Sequence, residues 1–178
     1  MGILYEIRSS ARGLYQVAIP SQGYRYQFAD GTQWVLNHAP AWCDHCQAIR
    51  NCELLPTEIQ LYRGLFTEGL GRLTDEEFSR IYDNEEKRTS VARRILVRAE
   101  ASGFSQALDM IHQRQSPPRC LSCGNIELEW PDEGGVLLLK TGELLTLASV
   151  GFVEIWGIFG VYSPEGERIG DSSFSGSA

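Results

Sequence analysis

The sequence predicts an α+β fold in which both ends of the chain supply strands and the middle supplies helices. Three observations carry this. Residues 1–55 and 116–170 contain short runs of alternating apolar and polar side chains, the period of a half-buried strand. Residues 56–115 contain two capping-box patterns followed by apolar positions at helical spacing. That middle block also lacks a strong strand candidate. The expected organisation is one domain over residues 1–170, an antiparallel sheet built from both chain ends, with 56–115 as a helical insertion and 171–178 as a disordered tail.

The elements follow in order. Ile3 to Ile7 and Leu14 to Ile19 are strands, the second stopped by Pro20. Tyr24-Arg25-Tyr26-Gln27-Phe28 alternates cleanly. Asp30-Gly31 then turns the chain into a return strand at Gln33-Trp34-Val35-Leu36. Thr57-Glu58-Ile59-Gln60 and Thr74-Asp75-Glu76-Glu77 each open a helix, because the hydroxyl and the third-position side chain satisfy free amides. Within residues 85–101, Val91, Ile95, Leu96 and Ala99 form one apolar stripe, with Arg93, Arg94 and Arg98 outside it. Gly103 ends that helix, and Phe104, Leu108 and Ile111 mark a short last one before Pro117-Pro118. Strands return at Ile126–Trp130, Val136–Leu139, Leu144–Leu147, Phe152–Trp156 and Phe159–Tyr162. Ser163-Pro164-Glu165-Gly166 is a turn, and the Ser/Gly-rich stretch from Gly170 onward is read as disordered.

Composition narrows the classes. The net charge of −7 argues against general nucleic-acid binding. The acidic excess lies in residues 51–84 and 115–178, whereas 85–114 is basic, with Lys87, Arg88, Arg93, Arg94 and Arg98 close together. No run approaches the ~20 apolar residues that cross a bilayer, and the opening MGILYEIRSSARG lacks the pattern of a secretory leader. No membrane partner is expected, and a cytoplasmic location is. Cysteines in that compartment serve as metal ligands or free thiols rather than structural disulfides.

Four of the five cysteines fall in two pairs, Cys43-x-x-Cys46 and Cys120-x-x-Cys123. Zinc takes four tetrahedral ligands, and soft thiolates bind it tightly. A Cys-x-x-Cys turn aims two sulfurs at one ion, so two turns complete a site. The second pair is followed by Gly124, which lets the backbone curl. Around these residues the chain resembles the knuckles of zinc-ribbon domains. The resemblance implies a structural Zn2+ held by Cys43, Cys46, Cys120 and Cys123. It departs from that pattern in having Gln47 where Gly is common, and in spacing the knuckles far beyond the ~15–20 residues of a compact ribbon. The helical insertion accounts for the spacing. Cys52, His38 and His45 lie near the first knuckle and are alternative ligands; the plainer reading makes Cys52 a buried apolar residue and the histidines partly exposed neighbours.

The segment Ala39-Pro40-Ala41-Trp42-Cys43-Asp44-His45-Cys46 also resembles the redox loop of thioredoxin-like oxidoreductases. There a lowered thiol pKa makes the nucleophile. That reading leaves Cys120 and Cys123 unexplained, and it needs strands where the middle block offers helices. No hydrolase, P-loop or zinc-protease motif occurs. Arg93, Arg94 and Arg98 are candidate phosphate contacts, with Tyr24, Tyr26, Trp34 and Trp42 as candidate base-stacking rings. Against this, Glu85, Glu86 and Glu100 interleave the arginines. The expected function is therefore a zinc-stabilised, non-enzymatic protein that binds a macromolecule, a protein before a nucleic acid. The alternatives are a nucleic-acid-binding protein using the Arg-rich helix and a thiol–disulfide oxidoreductase at Cys43 and Cys46.

Overall fold

The computed structural model describes residues 2–20, 23–99, 103–155 and 158–173. The chain runs β1 (Gly2–Ser9), β2 (Gly13–Pro20), β3 (Arg25–Gln27), β4 (Gln33–Val35), β5 (His38–Cys43) and β6 (Ala48–Glu53). Helices α1 (Glu58–Leu70), α2 (Asp75–Tyr82), α3 (Glu85–Ala99) and α4 (Phe104–Gln113) follow. It closes with β7 (Leu128–Glu129), β8 (Val136–Leu138), β9 (Leu144–Val153), β10 (Ile158–Tyr162) and β11 (Arg168–Ser173). Two compact units result: residues 1–26, 35–54 and 116–178 form a β unit, and residues 27–34 with 55–115 form a helical unit. The helical unit takes in all four helices and the tip of the β3–β4 hairpin.

The α+β class stands, but the single antiparallel sheet becomes three sheets. Their orders are β2-β1-β9-β8, β11-β10-β3-β4 and β6-β5-β7. One pairing is parallel, β3 with β10, through Val161↔Arg25 and Tyr162↔Tyr26. It joins residues from opposite ends of the chain, and local alternation carries no information about such a partner. Strands from the two ends do share a sheet: β1 pairs along its whole length with β2 and with β9. Their common face buries Ile7, Ile19, Leu137 and Leu145 against Trp42, Ile49 and Leu139.

Three strand expectations need correction. Phe152 to Ile155 is no separate strand, because β9 runs unbroken to Val153, with a bulge opposite Leu4 and Tyr5 that absorbs a register shift. Trp156 lies outside the described residues. Ile126 to Trp130 pairs only at Leu128 and Glu129, where β5 offers partners. Strand β11 continues through Ser173 into the stretch expected to be disordered, while residues 174–178 lie outside the described residues. The expected turn at 163–166 closes as a hairpin, with the Gly166 amide donating to the Ser163 carbonyl at 2.8 Å.

The helical unit follows its capping signals. The Thr57 hydroxyl accepts from the Gln60 amide at 3.4 Å, and Gln60 Oε1 accepts from the Thr57 amide at 2.8 Å. Thr74 and Glu77 repeat the exchange at 3.2 and 2.9 Å. Asn84 caps α3 through the Lys87 amide at 2.9 Å. The core is aromatic: Phe66 meets Phe78 at 6.0 Å between ring centres, Tyr62 meets Phe104 at 5.2 Å, and Phe78 stacks on Tyr82 at 5.3 Å. Helices α1 and α3 approach closely because Gly69 has no side chain; a Cβ there would lie 2.4 Å from Ile95. Replacing Thr74 by Ala removes half of one capping box and should lower stability by about 1 kcal/mol. Chemical denaturation followed by helical circular dichroism reads that loss.

Candidate metal centre

The first Cys-x-x-Cys pair sits at the tip of a hairpin. Strands β5 and β6 pair from His38↔Glu53 to Cys43↔Ala48, and the chain turns through residues 44–47. Ala39-Pro40-Ala41 shows no alternation, so the local pattern gives no sign of this strand. The reason is burial of consecutive residues: Ala41, Trp42 and Cys43 are all enclosed, so polar and apolar positions do not alternate. Pro40 is tolerated because β7 reaches only Trp42 and Cys43, which leaves the third-strand side of Pro40 unpaired.

The second pair is laid against β6. The Glu53 amide donates to the Arg119 carbonyl at 2.8 Å, and the Leu121 amide donates to the Asn51 carbonyl at 3.0 Å. Between these bonds Cys52 and Cys120 form an isolated antiparallel bridge. The fully buried Glu53 carboxylate reinforces the junction, accepting from Tyr26 Oη at 2.5 Å and from the Arg119 amide at 3.2 Å. Tyr162 Oη donates to the Leu121 carbonyl at 2.7 Å. Beyond the second knuckle, the Asp44 amide donates to the Glu127 carbonyl at 3.2 Å, so the exit strand returns to the first knuckle.

These pairings bring Cys43, Cys46, Cys120 and Cys123 together. Their four sulfurs all lie within 4.8 Å of one another, with Cys43 to Cys123 at 3.5 Å and Cys46 to Cys120 at 4.0 Å. Four sulfurs at the ~2.3 Å bond length of zinc thiolates stand about 3.8 Å apart in a tetrahedron. The cluster therefore has the size and the donor set of a tetrathiolate site. Cys43 and Cys120 are buried, Cys46 is half-buried and Cys123 is exposed. Among the described residues this is the only such group of cysteine, histidine and acidic side chains. His38, His45 and Cys52 do not belong to it: His38 packs edge-on to Tyr24 at 5.1 Å, and His45 is exposed.

Electrostatics agree with a centre that wants a cation. Burial pushes the Cys43 thiol up, and burial likewise takes Cys46 up to about 12. Four thiols this close resist sharing negative charge, and a divalent ion relieves that conflict. Cys120 is drawn the other way by a hydrogen bond from Cys52 and by the amides of Ser122 and Cys123. Burial lowers the His38 pKa, so at neutral pH its ring is uncharged.

The two knuckles share a backbone signature. The residue after each second cysteine is left-handed: Gly124 at φ 76° and Gln47 at φ 50°. Gln47 is the only non-glycine residue with positive φ among those described. It is held there by its own Nε2, which donates to the Asp44 carbonyl at 2.5 Å, and by Arg12, which donates to the Gln47 carbonyl at 3.0 Å. The Arg12 guanidinium also lies 4.9 Å from the centre of the Trp42 ring. Trp42 is a buried support of the turn, its Nε1 donating to Asp44 Oδ1 at 3.0 Å, and Lys140 pairs with the other oxygen of Asp44 at 3.1 Å.

No protein-family model, curated protein or solved structure matches this chain. The remaining sequence candidates are therefore judged by their surroundings. Arg93 and Arg94 are exposed on the same open side of α3 as Glu85 and Glu86. Arg98 follows on the same helix, its side chain outside the described residues. Tyr26 and Trp42 are buried, so they form no stacking platform with Tyr24 and Trp34. No helix among the described residues is long and apolar enough to cross a membrane.

The left-handed Gln47 yields a test. A non-glycine residue in that region carries a local cost of about 1–2 kcal/mol. Gln47→Gly should therefore raise stability by about 0.5–1 kcal/mol, the gain being reduced by glycine's greater freedom in the unfolded chain. Thermal unfolding of the two proteins at equal metal loading measures it.

Proposed function

We propose that Cys43, Cys46, Cys120 and Cys123 hold one structural Zn2+, and that the chain is a non-enzymatic, cytoplasmic protein whose work is to bind another macromolecule, a protein. The observation that carries the metal reading is the gathering of four sulfurs from two separate turns within 4.8 Å. Soft thiolates in tetrahedral array favour zinc over the hard cations, which prefer oxygen. Four protein ligands close the coordination sphere, whereas a catalytic zinc keeps a position open for water or substrate. The ion's role is then to fasten the turn between β5 and β6 to the segment that follows Cys120.

The protein-partner reading draws support from the outward face of the β2-β1-β9-β8 sheet. Opposite the buried face, Leu14, Leu138 and Leu144 are 61, 65 and 43% exposed, and Val136 stands beside them. Leu138 and Leu144 pair across β8 and β9, while Arg8 and Thr146 separate them and Val136 from Leu14; exposed apolar side chains gathered on one sheet face are a common mark of an interaction surface. The nucleic-acid reading weighs less, because Glu85 and Glu86 share one side of α3 with Arg93 and Arg94. The oxidoreductase reading also weighs less: Cys43 lies 3.5 Å from Cys123 of the other knuckle, and the chain after Cys46 enters a strand, not a helix.

Protein purified without chelators should contain about one zinc per chain. Chelation, or the substitution Cys43→Ser, should lower the unfolding midpoint by roughly 10 °C or more. Zinc-free protein together with an unchanged midpoint for Cys43→Ser would sink the metal reading. For the partner, Leu138→Asp should abolish protein capture from a cell extract while leaving the midpoint in place. Salt-dependent retention on heparin that Arg94→Glu removes would favour nucleic acid instead.

A further inference from the structure

The four sulfurs of the centre differ in what can reach them. Cys43 and Cys120 are buried, Cys46 is half-buried, and Cys123 alone is exposed. Cys123 lies in a turn that the Gly124 amide closes on the Cys120 carbonyl at 2.8 Å. The Cys120 amide donates to the Asn125 carbonyl, also at 2.8 Å. Cys43 ends β5, where its backbone pairs with Ala48 on one side and Leu128 on the other. Its sulfur stands 3.5 Å from that of Cys123, and Cys46 stands 4.0 Å from Cys120. Both contacts cross from one knuckle to the other.

Sulfur that ligates zinc is held as thiolate, and thiolate is the form that peroxides oxidise. Cysteines that sense oxidants are accessible and have a resolving cysteine beside them. Cys123 meets the first condition, and Cys43 supplies the second. We infer that the centre is a redox-responsive site for hydrogen peroxide, in which Cys123 is the sulfur oxidised and Cys43 the sulfur that resolves it. The inference rests on the four-cysteine metal reading. In the first step the Cys123 thiolate attacks one peroxide oxygen. An S–O bond forms, the O–O bond breaks and hydroxide leaves, so Cys123 becomes a sulfenic acid. In the second step the Cys43 thiolate attacks the Cys123 sulfur. An S–S bond forms, the S–O bond breaks and a second hydroxide leaves. Two electrons pass from the two sulfurs to peroxide, and two solvent protons convert the hydroxides to water. Cys46 and Cys120 then keep only half of the donor set that a closed zinc site needs, so the ion is released. The new bond fastens β5 to the segment after Cys120 in its place, which a bond inside either Cys-x-x-Cys turn cannot do. In a reducing compartment such a disulfide is transient and is reversed by thiol exchange.

The test needs no variant. The full chain, loaded with zinc and freed of reductant, is treated with hydrogen peroxide. Released zinc is read with a chromophoric chelator, and disulfides are mapped by proteolysis and mass spectrometry. About one zinc should leave per disulfide formed, with Cys43 joined to Cys123 and Cys52 left as a free thiol. Dithiothreitol with added zinc should restore the starting state. Dimedone, which traps sulfenic acids, should tag Cys123 when present during the reaction. The cross-link joins residues 80 positions apart. The oxidised, zinc-free chain should therefore unfold roughly 10 °C above the reduced, zinc-free chain. A disulfide inside either Cys-x-x-Cys turn, one that uses Cys52, a dimedone tag on another cysteine, or zinc retained without any disulfide overturns the inference and leaves the metal reading in place. A wild-type chain that takes up no zinc overturns both.

Discussion

The β unit depends on one junction, where residues 119–121 lie antiparallel against β6 and set Cys52 opposite Cys120. Two backbone bonds hold it, and the buried Glu53 carboxylate ties it to Tyr26. This junction, together with the β5–β7 pairing, brings together two cysteine turns that lie in separate stretches of the chain. There the four sulfurs converge. Ala41, Cys43, Cys52 and Cys120 form one buried cluster, while Trp42 and Ile49, on the same two strands, join the core of the β2-β1-β9-β8 sheet. Alternation along β5 and β6 thus sends neighbouring side chains into two different interiors.

The first knuckle is built with unusual means. Its turn requires a left-handed residue, and glutamine occupies that place where the second knuckle uses Gly124. Glutamine is held by contacts that glycine would not need: its own amide on Asp44, and Arg12 on its carbonyl. Arg12 also covers the Trp42 ring and pairs with Glu143 at 3.4 Å. The β1–β2 turn, the knuckle and the β8–β9 turn are consequently linked through one guanidinium, whose planar fork suits several acceptors at once.

Much of the helical unit could be read locally. Capping boxes at Thr57 and Thr74 act over three residues, so sequence alone specifies both their partners and the helix starts. The cap at Asn84 follows the same chemistry without the Ser/Thr-x-x-Glu/Gln pattern. Strands were less legible. The hairpin around the first knuckle lacks alternation because three successive residues of β5 are buried. The parallel contact between β3 and β10 has no local signature at all. Tyr26 and Trp42 carry aromatic rings suited to stacking on bases, yet both are core residues, and only their neighbours distinguish these roles.

Sequence by itself determined the α+β class, the helical middle and the two Cys-x-x-Cys turns, since each rests on interactions between residues a few positions apart. Only the tertiary structure decided that the four sulfurs stand within 4.8 Å, that Gln47 bends like the glycine of the other turn, and that Cys52 faces Cys120. The first and last of these depend on the register between β6 and residues 119–121. Register is set by which long-range pairing buries the most apolar surface while satisfying the backbone amides, and a spacing of about seventy residues between the two cysteine pairs leaves no trace of that choice in the local pattern.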